Sequence, residues 1–116
     1  MDKEWYVIHT FSGHENKVKQ ALEKKIMNLG LENERDFRIK IPTLDVPEIK
    51  DGKKRVKSRK FFPGYILIEA VLSDDVRKIV KDTPGVTNFL GVFDYAKNSF
   101  EPKALSRSEV SALFEH

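Results

Sequence analysis

The chain has 116 residues, of which 40% are hydrophobic and 34% charged, with a formal net charge of +3 and no cysteine. That length and balance suit one folded domain around a single core rather than a disordered tail, and the missing thiols exclude both a disulfide framework and a thiolate metal site. No apolar run approaches the roughly 20 residues that span a bilayer, and Met1-Asp2-Lys3-Glu4 lacks a signal peptide's charged-then-apolar order, so a soluble cytoplasmic protein is expected.

Trp5-Tyr6-Val7-Ile8-His9-Thr10-Phe11 is aromatic and β-branched and predicts a first strand. Large side chains at both alternating sets of positions predict cover on both faces of its sheet. Ser12-Gly13-His14-Glu15 has the Ser-x-x-Glu form of a capping box, so a helix should start there. Val18, Leu22, Ile26 and Leu29 recur at helical spacing, and Gly30 is placed to end the helix in a left-handed conformation. Phe37-Arg38-Ile39-Lys40-Ile41 alternates with period two up to Pro42, as a half-buried strand does. Residues 46–49 and 56–61 flank Asp51-Gly52, a strong hairpin-turn signal. Phe61-Phe62-Pro63-Gly64 then predicts a tight turn feeding Tyr65-Ile66-Leu67-Ile68-Glu69-Ala70-Val71, the most apolar run and the expected central strand.

Ser73-Asp74-Asp75 caps and charges the start of a second helix whose buried stripe is Val76, Ile79 and Val80. Thr83-Pro84-Gly85 is another turn, ahead of a strand over residues 86–93. Residues 94–103 are expected to form an exposed, mobile loop. Ser106-Arg107-Ser108-Glu109 repeats the capping-box form before a short closing helix with Val110, Leu113 and Phe114. The order β-α-β-hairpin-β-α-β-α predicts an α/β domain of the α+β kind, with an antiparallel four-stranded sheet flanked by helices, split-βαβ-like, and an inserted β-hairpin. Residues 1–116 are expected to form one domain.

The charge is unevenly spread. Lys50, Lys53, Lys54, Arg55, Lys57, Arg59 and Lys60 gather at the predicted hairpin, with Asp51 as the acid among them. Such a patch attracts anions loosely, or simply keeps an exposed strand edge solvated. The means for catalysis are thin. His9, His14 and His116 have no metal-ligand spacing to one another, and no nucleophile elbow or phosphate-binding glycine loop is present. Asp74-Asp75 reads as helix-capping charge, not as a metal site. No enzyme, cofactor or metal is expected. What stands out is aromatic residues beside turns: Trp5, Tyr6 and Phe11 at the first strand, and Phe61, Phe62 and Tyr65 around Pro63-Gly64. Rigid aromatics at turns offer contact area at little entropic cost, although the same rings can also fill a core.

Three blocks resemble the N-terminal domains of NusG-type transcription factors. Residues 5–17, from Trp5 to Lys17, are similar to the family's opening block. Phe61-Phe62-Pro63-Gly64-Tyr65-Ile66-Leu67-Ile68 is similar to its central block, and Thr83-Pro84-Gly85-Val86-Thr87-Asn88-Phe89-Leu90-Gly91 to its third. Ile41-Pro42-Thr43 and residues 48–54 also agree, so the resemblance runs from about residue 4 to 93.

The resemblance implies a non-enzymatic transcription elongation, termination and antitermination factor domain. Its partner would be the coiled-coil clamp helices of the largest RNA polymerase subunit, bound through a concave apolar surface. The residues implied to line or support that surface are Trp5, Tyr6, Phe11, Phe62, Pro63, Gly64, Tyr65, Thr83, Pro84, Gly85 and Val86. Holding the clamp closed would alter pausing and processivity by shifting polymerase populations, with no bond made or broken. The family also implies that Ser12, His14, Lys17, Asp82 and Thr83 lie near non-template DNA, and that Lys53, Lys54 and Arg55 face upstream duplex. Asp82 departs from the Asn of some relatives with sequence-dependent pausing; a carboxylate has no hydrogen to donate to a thymine edge and repels phosphate. Family members continue into a KOW-type β-barrel that binds the ribosome or a termination factor. None follows here, so an excised N-terminal domain or an unusual short paralogue is expected, with excision favoured, and a monomer. A free-standing RNA-binding module is the rival reading, because the β-α-β-β-α-β order overlaps that of the RNA-recognition motif. Pro63-Gly64 stands against it, where that motif's Lys/Arg-Gly-aromatic pattern would run.

Overall fold

The computed structural model describes residues 2–50, 52–61 and 63–114, with residues 43–50, 53–61 and 114 described by their backbone alone. Strand β1 (Glu4–Thr10) lies at the centre of the fold, and helix α1 (Glu15–Met27) follows it. Strand β2 (Phe37–Lys40) and strand β5 (Tyr65–Ala70) join β1 in one sheet. Helix α2 (Asp74–Asp82) leads into β6 (Val86–Phe89), which completes the four-stranded order β2-β5-β1-β6, with each neighbouring pair antiparallel. The predicted fold class is the observed one.

Alternation along β1 decides what each face carries. Tyr6 and Ile8 stand opposite Ile68 and Ile66 of β5, and Ile39 of β2 stands opposite Ile68 on the far side. These residues join Val18, Leu22 and Ile26 of α1, and Val76 and Val80 of α2, in one buried cluster. Trp5, Val7 and His9 belong to the other face, beside Glu69, Leu67 and Tyr65. The chain after β6 returns along the same edge of β1. The Leu90 amide donates to the Val7 carbonyl at 2.9 Å, and the Leu105 amide to the Trp5 carbonyl at 2.8 Å.

The basic segment forms its hairpin: β3 (Thr43–Lys50) and β4 (Lys53–Phe61) pair with each other around Gly52 in a separate two-stranded sheet. Three expectations are corrected. The strand predicted over residues 86–93 breaks at Leu90: its amide still bonds Val7 in line with the β1 pairing, but its carbonyl accepts from Lys103 instead. The predicted loop 94–103 is a second hairpin, β7 (Gly91–Asp94) and β8 (Ser99–Pro102). Its turn is held by the Asp94 carboxylate, which accepts from the Ala96 and Lys97 amides at 3.0 and 3.2 Å. Thirdly, α1 has no Ser12 cap: it starts two residues later than a Ser12 box requires, His14 is its N-cap, and no side chain caps it. Leu29 then falls beyond the helix and is exposed.

The other two helix starts form as read. Ser73 Oγ accepts the Val76 amide at 3.2 Å. At α3 (Arg107–Phe114) the box is reciprocal: Ser106 Oγ accepts the Glu109 amide at 3.2 Å, and the Glu109 carboxylate accepts the Ser106 amide at 3.0 Å. That hydrogen bond from the Ser106 backbone, with the Ser106 side chain, holds the Glu109 carboxyl below its ordinary value.

Candidate functional site

The face opposite α1 and α2 is apolar at its centre and charged along one border. Val7, Leu67 and Tyr65 of the sheet, with Pro42, Leu90 and Leu113 around them, line an open concavity of about 260 Å³. Leu113 comes from α3, so the closing helix supplies one wall. At the border Trp5 is nearly buried, with the Arg38 guanidinium 5.4 Å from its ring centre. Arg38 Nε in turn donates to Glu69 Oε1 at 2.8 Å, which fixes the cation over the ring. At the other border the His9 ring meets Tyr65 edge-on, centroids 5.3 Å apart. His9 Nδ1 is paired with the Thr87 hydroxyl, and that hydroxyl donates to the His9 carbonyl at 2.9 Å.

Two Pro-Gly turns frame the end of this face. The Thr10 amide donates to the Gly64 carbonyl at 2.8 Å and the Phe11 amide to the Gly85 carbonyl at 3.0 Å, so consecutive residues of the first block hold both turns. Gly64 has φ +81° and Gly85 φ +97°, values that side chains rarely tolerate. A Cβ on Gly85 would also lie 2.8 Å from the Val18 side chain, which ties this turn to α1. Beside the turns Phe11 is 58% exposed, its ring edge-on to His14 at 6.1 Å.

The residues implied by resemblance fall into distinct places. Trp5 and Tyr65 share the open face, Phe11 and Pro63 are exposed at its end, and Gly64 and Gly85 are the turn residues. Pro84 is exposed and Val86 half-buried beside them, while Phe62 lies outside the described residues. Tyr6 points the opposite way, into the cluster under the helices, edge-on to Phe89 at 6.3 Å, with its hydroxyl donating to Glu4. Burial first, and then the Glu4 charge and hydrogen bond, raise its phenol above the ordinary value. Thr83 is buried and donates to the Ile79 carbonyl at 2.7 Å, so its hydroxyl closes α2. Ser12, His14 and Lys17 are exposed around the start of α1, and Asp82 is exposed at the end of α2. Lys53, Lys54 and Arg55 lie on the returning strand of the basic hairpin, opposite Lys50, Ile49 and Glu48. Among the described residues no three acidic or imidazole side chains gather as a metal site, and no helix is long and apolar enough to cross a membrane.

This chain matches the model of the family described as "Transcription termination factor nusG" over residues 3–114. The chain belongs to the NusG family. It is 50% identical over 91 residues to "Transcription termination/antitermination protein NusG" of Bacillus subtilis (strain 168), covering 78% of this chain and 51% of that one. With the protein of the same name from Halalkalibacterium halodurans it shares 44% identity over 113 residues, 97% of this chain and 61% of that relative. The chain thus spans between half and about three fifths of these NusG relatives. A solved structure described as "Domain interaction in Thermotoga maritima NusG" superposes with a TM-score of 0.65 at 29% identity, over 97% of this chain and 56% of the other. Another, "Crystal Structure of MjSpt4:Spt5 complex conformation A", shares the fold at a TM-score of 0.50 and 15% identity, over 97% of this chain and 59% of that chain.

In this member of the family, sequence reading missed Val7, Pro42, Leu67, Leu90 and Leu113 of the concavity. A signal for two of them was present. Period-two alternation puts Val7 with Trp5, and Leu67 with Tyr65, and it also forbids Trp5 and Tyr6 from sharing a face. Leu113 left no such signal, because only the return of the chain across β1 brings α3 there.

Proposed function

We propose that this chain docks through its open sheet face on the clamp helices of the largest RNA polymerase subunit and so modulates pausing and processivity. The observation that carries the reading is the apolar concavity walled by Val7, Tyr65, Leu67, Leu90 and Leu113, framed by two hydrogen-bonded Pro-Gly turns. Rigid walls suit a paired-helix partner, since little ordering entropy is lost on contact. On this reading the factor binds polymerase states differentially and performs no bond chemistry, acting as a monomer in the cytoplasm without a cofactor.

Exposed Ser12, His14 and Lys17, at the start of α1, would lie toward non-template DNA. Asp82 supplies only an acceptor and negative charge there, which favours a backbone-tolerant contact over base reading. The basic hairpin with Lys53, Lys54 and Arg55 would meet upstream duplex through its phosphates. The rival RNA-binding reading needs open aromatic platforms on the sheet. Trp5 lies instead under Arg38, and Leu90 and Leu113 edge the centre.

Co-precipitation with core RNA polymerase tests the proposal. Wild type is expected to bind, while Tyr65→Ala and Leu90→Asp, folded by circular dichroism, lose on the order of tenfold or more in affinity. Equal binding by all three overturns it. Micromolar binding of single-stranded RNA without polymerase binding would establish the rival.

A further inference from the structure

Glu15 is the first residue of α1 and is buried, with 9% of its surface exposed. Burying a carboxylate is costly unless its oxygens are matched. Here Oε1 accepts the Gly64 amide at 3.4 Å, while Oε2 is buried without a partner among the described residues. A residue that only filled space would do so at lower cost with an apolar side chain. The carboxylate is therefore read through the group it holds among the described residues, the amide of the turn that frames the apolar concavity.

The two Pro-Gly turns differ in how they are fixed. The Gly85 turn is locked by its backbone bond to Phe11 and by Val18, which leaves no room for a Cβ. The Gly64 turn has looser surroundings: a Cβ there would meet its closest neighbour, the Thr10 carbonyl oxygen, at 3.3 Å. Its carbonyl is tied to Thr10, and the Glu15 side chain ties its amide. These two groups belong to the peptide planes on either side of the Gly64 Cα, so with both held the φ and ψ of Gly64 are set, whereas with one released the plane that enters the turn can rotate against the plane that leads to Tyr65. The next residue is Tyr65, whose ring stacks edge-on to His9 and forms a wall of the concavity.

We propose that Glu15 is a positioning residue for the docking face, its Oε1 holding the Gly64 amide so that α1 fixes the direction in which Tyr65 enters the concavity. The inference that this matters for polymerase rests on the docking reading above; the positioning itself does not. Two measurements separate them. By amide hydrogen exchange, Glu15→Ala is expected to speed Gly64 exchange by about tenfold or more, while Glu15→Gln, which keeps the acceptor, stays within about threefold of wild type. In polymerase binding, Glu15→Ala is expected to weaken affinity by about tenfold and Glu15→Gln to restore it, with the core variant Leu22→Val, destabilised away from the turn, binding as wild type does. Unchanged Gly64 exchange in Glu15→Ala overturns the positioning role, and so does equal acceleration in Glu15→Gln. Faster exchange together with no polymerase binding by wild type leaves the positioning standing and removes the docking reading instead.

Discussion

On the helix side of the sheet, Ile8, Ile66 and Ile68 are completely buried beneath α1 and α2. Their sequence neighbours Val7 and Tyr65, on the other side, remain half-exposed around a concavity. Both faces come from the same strands, one residue apart. The difference lies in the cover: two amphipathic helices seal one face, while among the described residues the other carries Pro42, Leu90, the Arg38 side chain and one edge of α3. Stability should therefore be concentrated on the first face and recognition on the second, and substitutions can separate them.

The largest effect is expected under the helices. Leu22 is fully buried between α1 and the sheet, and Leu22→Ala should cost about 2–5 kcal/mol in chemical denaturation. The folded fraction should nevertheless dock on polymerase with wild-type affinity, because the concavity is untouched. On the open face the pattern reverses. Tyr65→Ala should lower stability by only about 1–2 kcal/mol, yet reduce polymerase affinity by about tenfold or more. If Leu22→Ala lost affinity as strongly as Tyr65→Ala, the division of labour between the faces would fail.

Tyr6 allows a smaller test of which face its ring serves. Its phenol is held above the ordinary value of 10.0 by burial and by Glu4, so the neutral form is favoured in the folded state. Its contribution to stability is fully present below pH 10.0 and fades as pH rises through the folded-state value. Denaturation followed from pH 9 to about 11.5 should show a steeper loss for wild type than for Tyr6→Phe. Equal slopes would mean that the Tyr6 hydroxyl is not set apart from solvent as its place beneath the helices requires.

Much of this organisation was legible in the chain. The order of elements through α2, the hairpin around Gly52 and the two Pro-Gly turns follow from local patterns that tertiary contacts left in place. Where local chemistry competed with long-range pairing, it lost. Ser12 was read as a cap, yet the bonds of Thr10 and Phe11 to the two glycines pull the chain so that α1 begins at Glu15. Glu15, read as one half of that box, holds Gly64 instead. The break at Leu90 and the return of the chain toward α3 go with the Lys103 bond to the Leu90 carbonyl and the Leu105 bond to the Trp5 carbonyl, which no local pattern encodes.

The smallest effect concerns how α3 is kept beside the open face. Ser12 and Ser106 head the same Ser-x-x-Glu sequence, but only the Ser106 box closes. Ser106→Ala should therefore remove about 1 kcal/mol from α3, seen as faster exchange of the Val110 amide, which bonds the Ser106 carbonyl. Ser12→Ala should change stability by less than about 0.5 kcal/mol. Acid should mimic the first variant. Glu109 titrates below its ordinary 4.5, so its capping contribution is complete above that value and is lost as pH falls through the lowered one. Val110 protection and the resonances of Leu113 should then loosen together as pH falls below 4.5, while Ile8 and Leu22 stay protected. Loosening of Leu22 over the same range would show that α3 and the helix-side core melt as one unit, and that the two faces are less independent than their cover suggests.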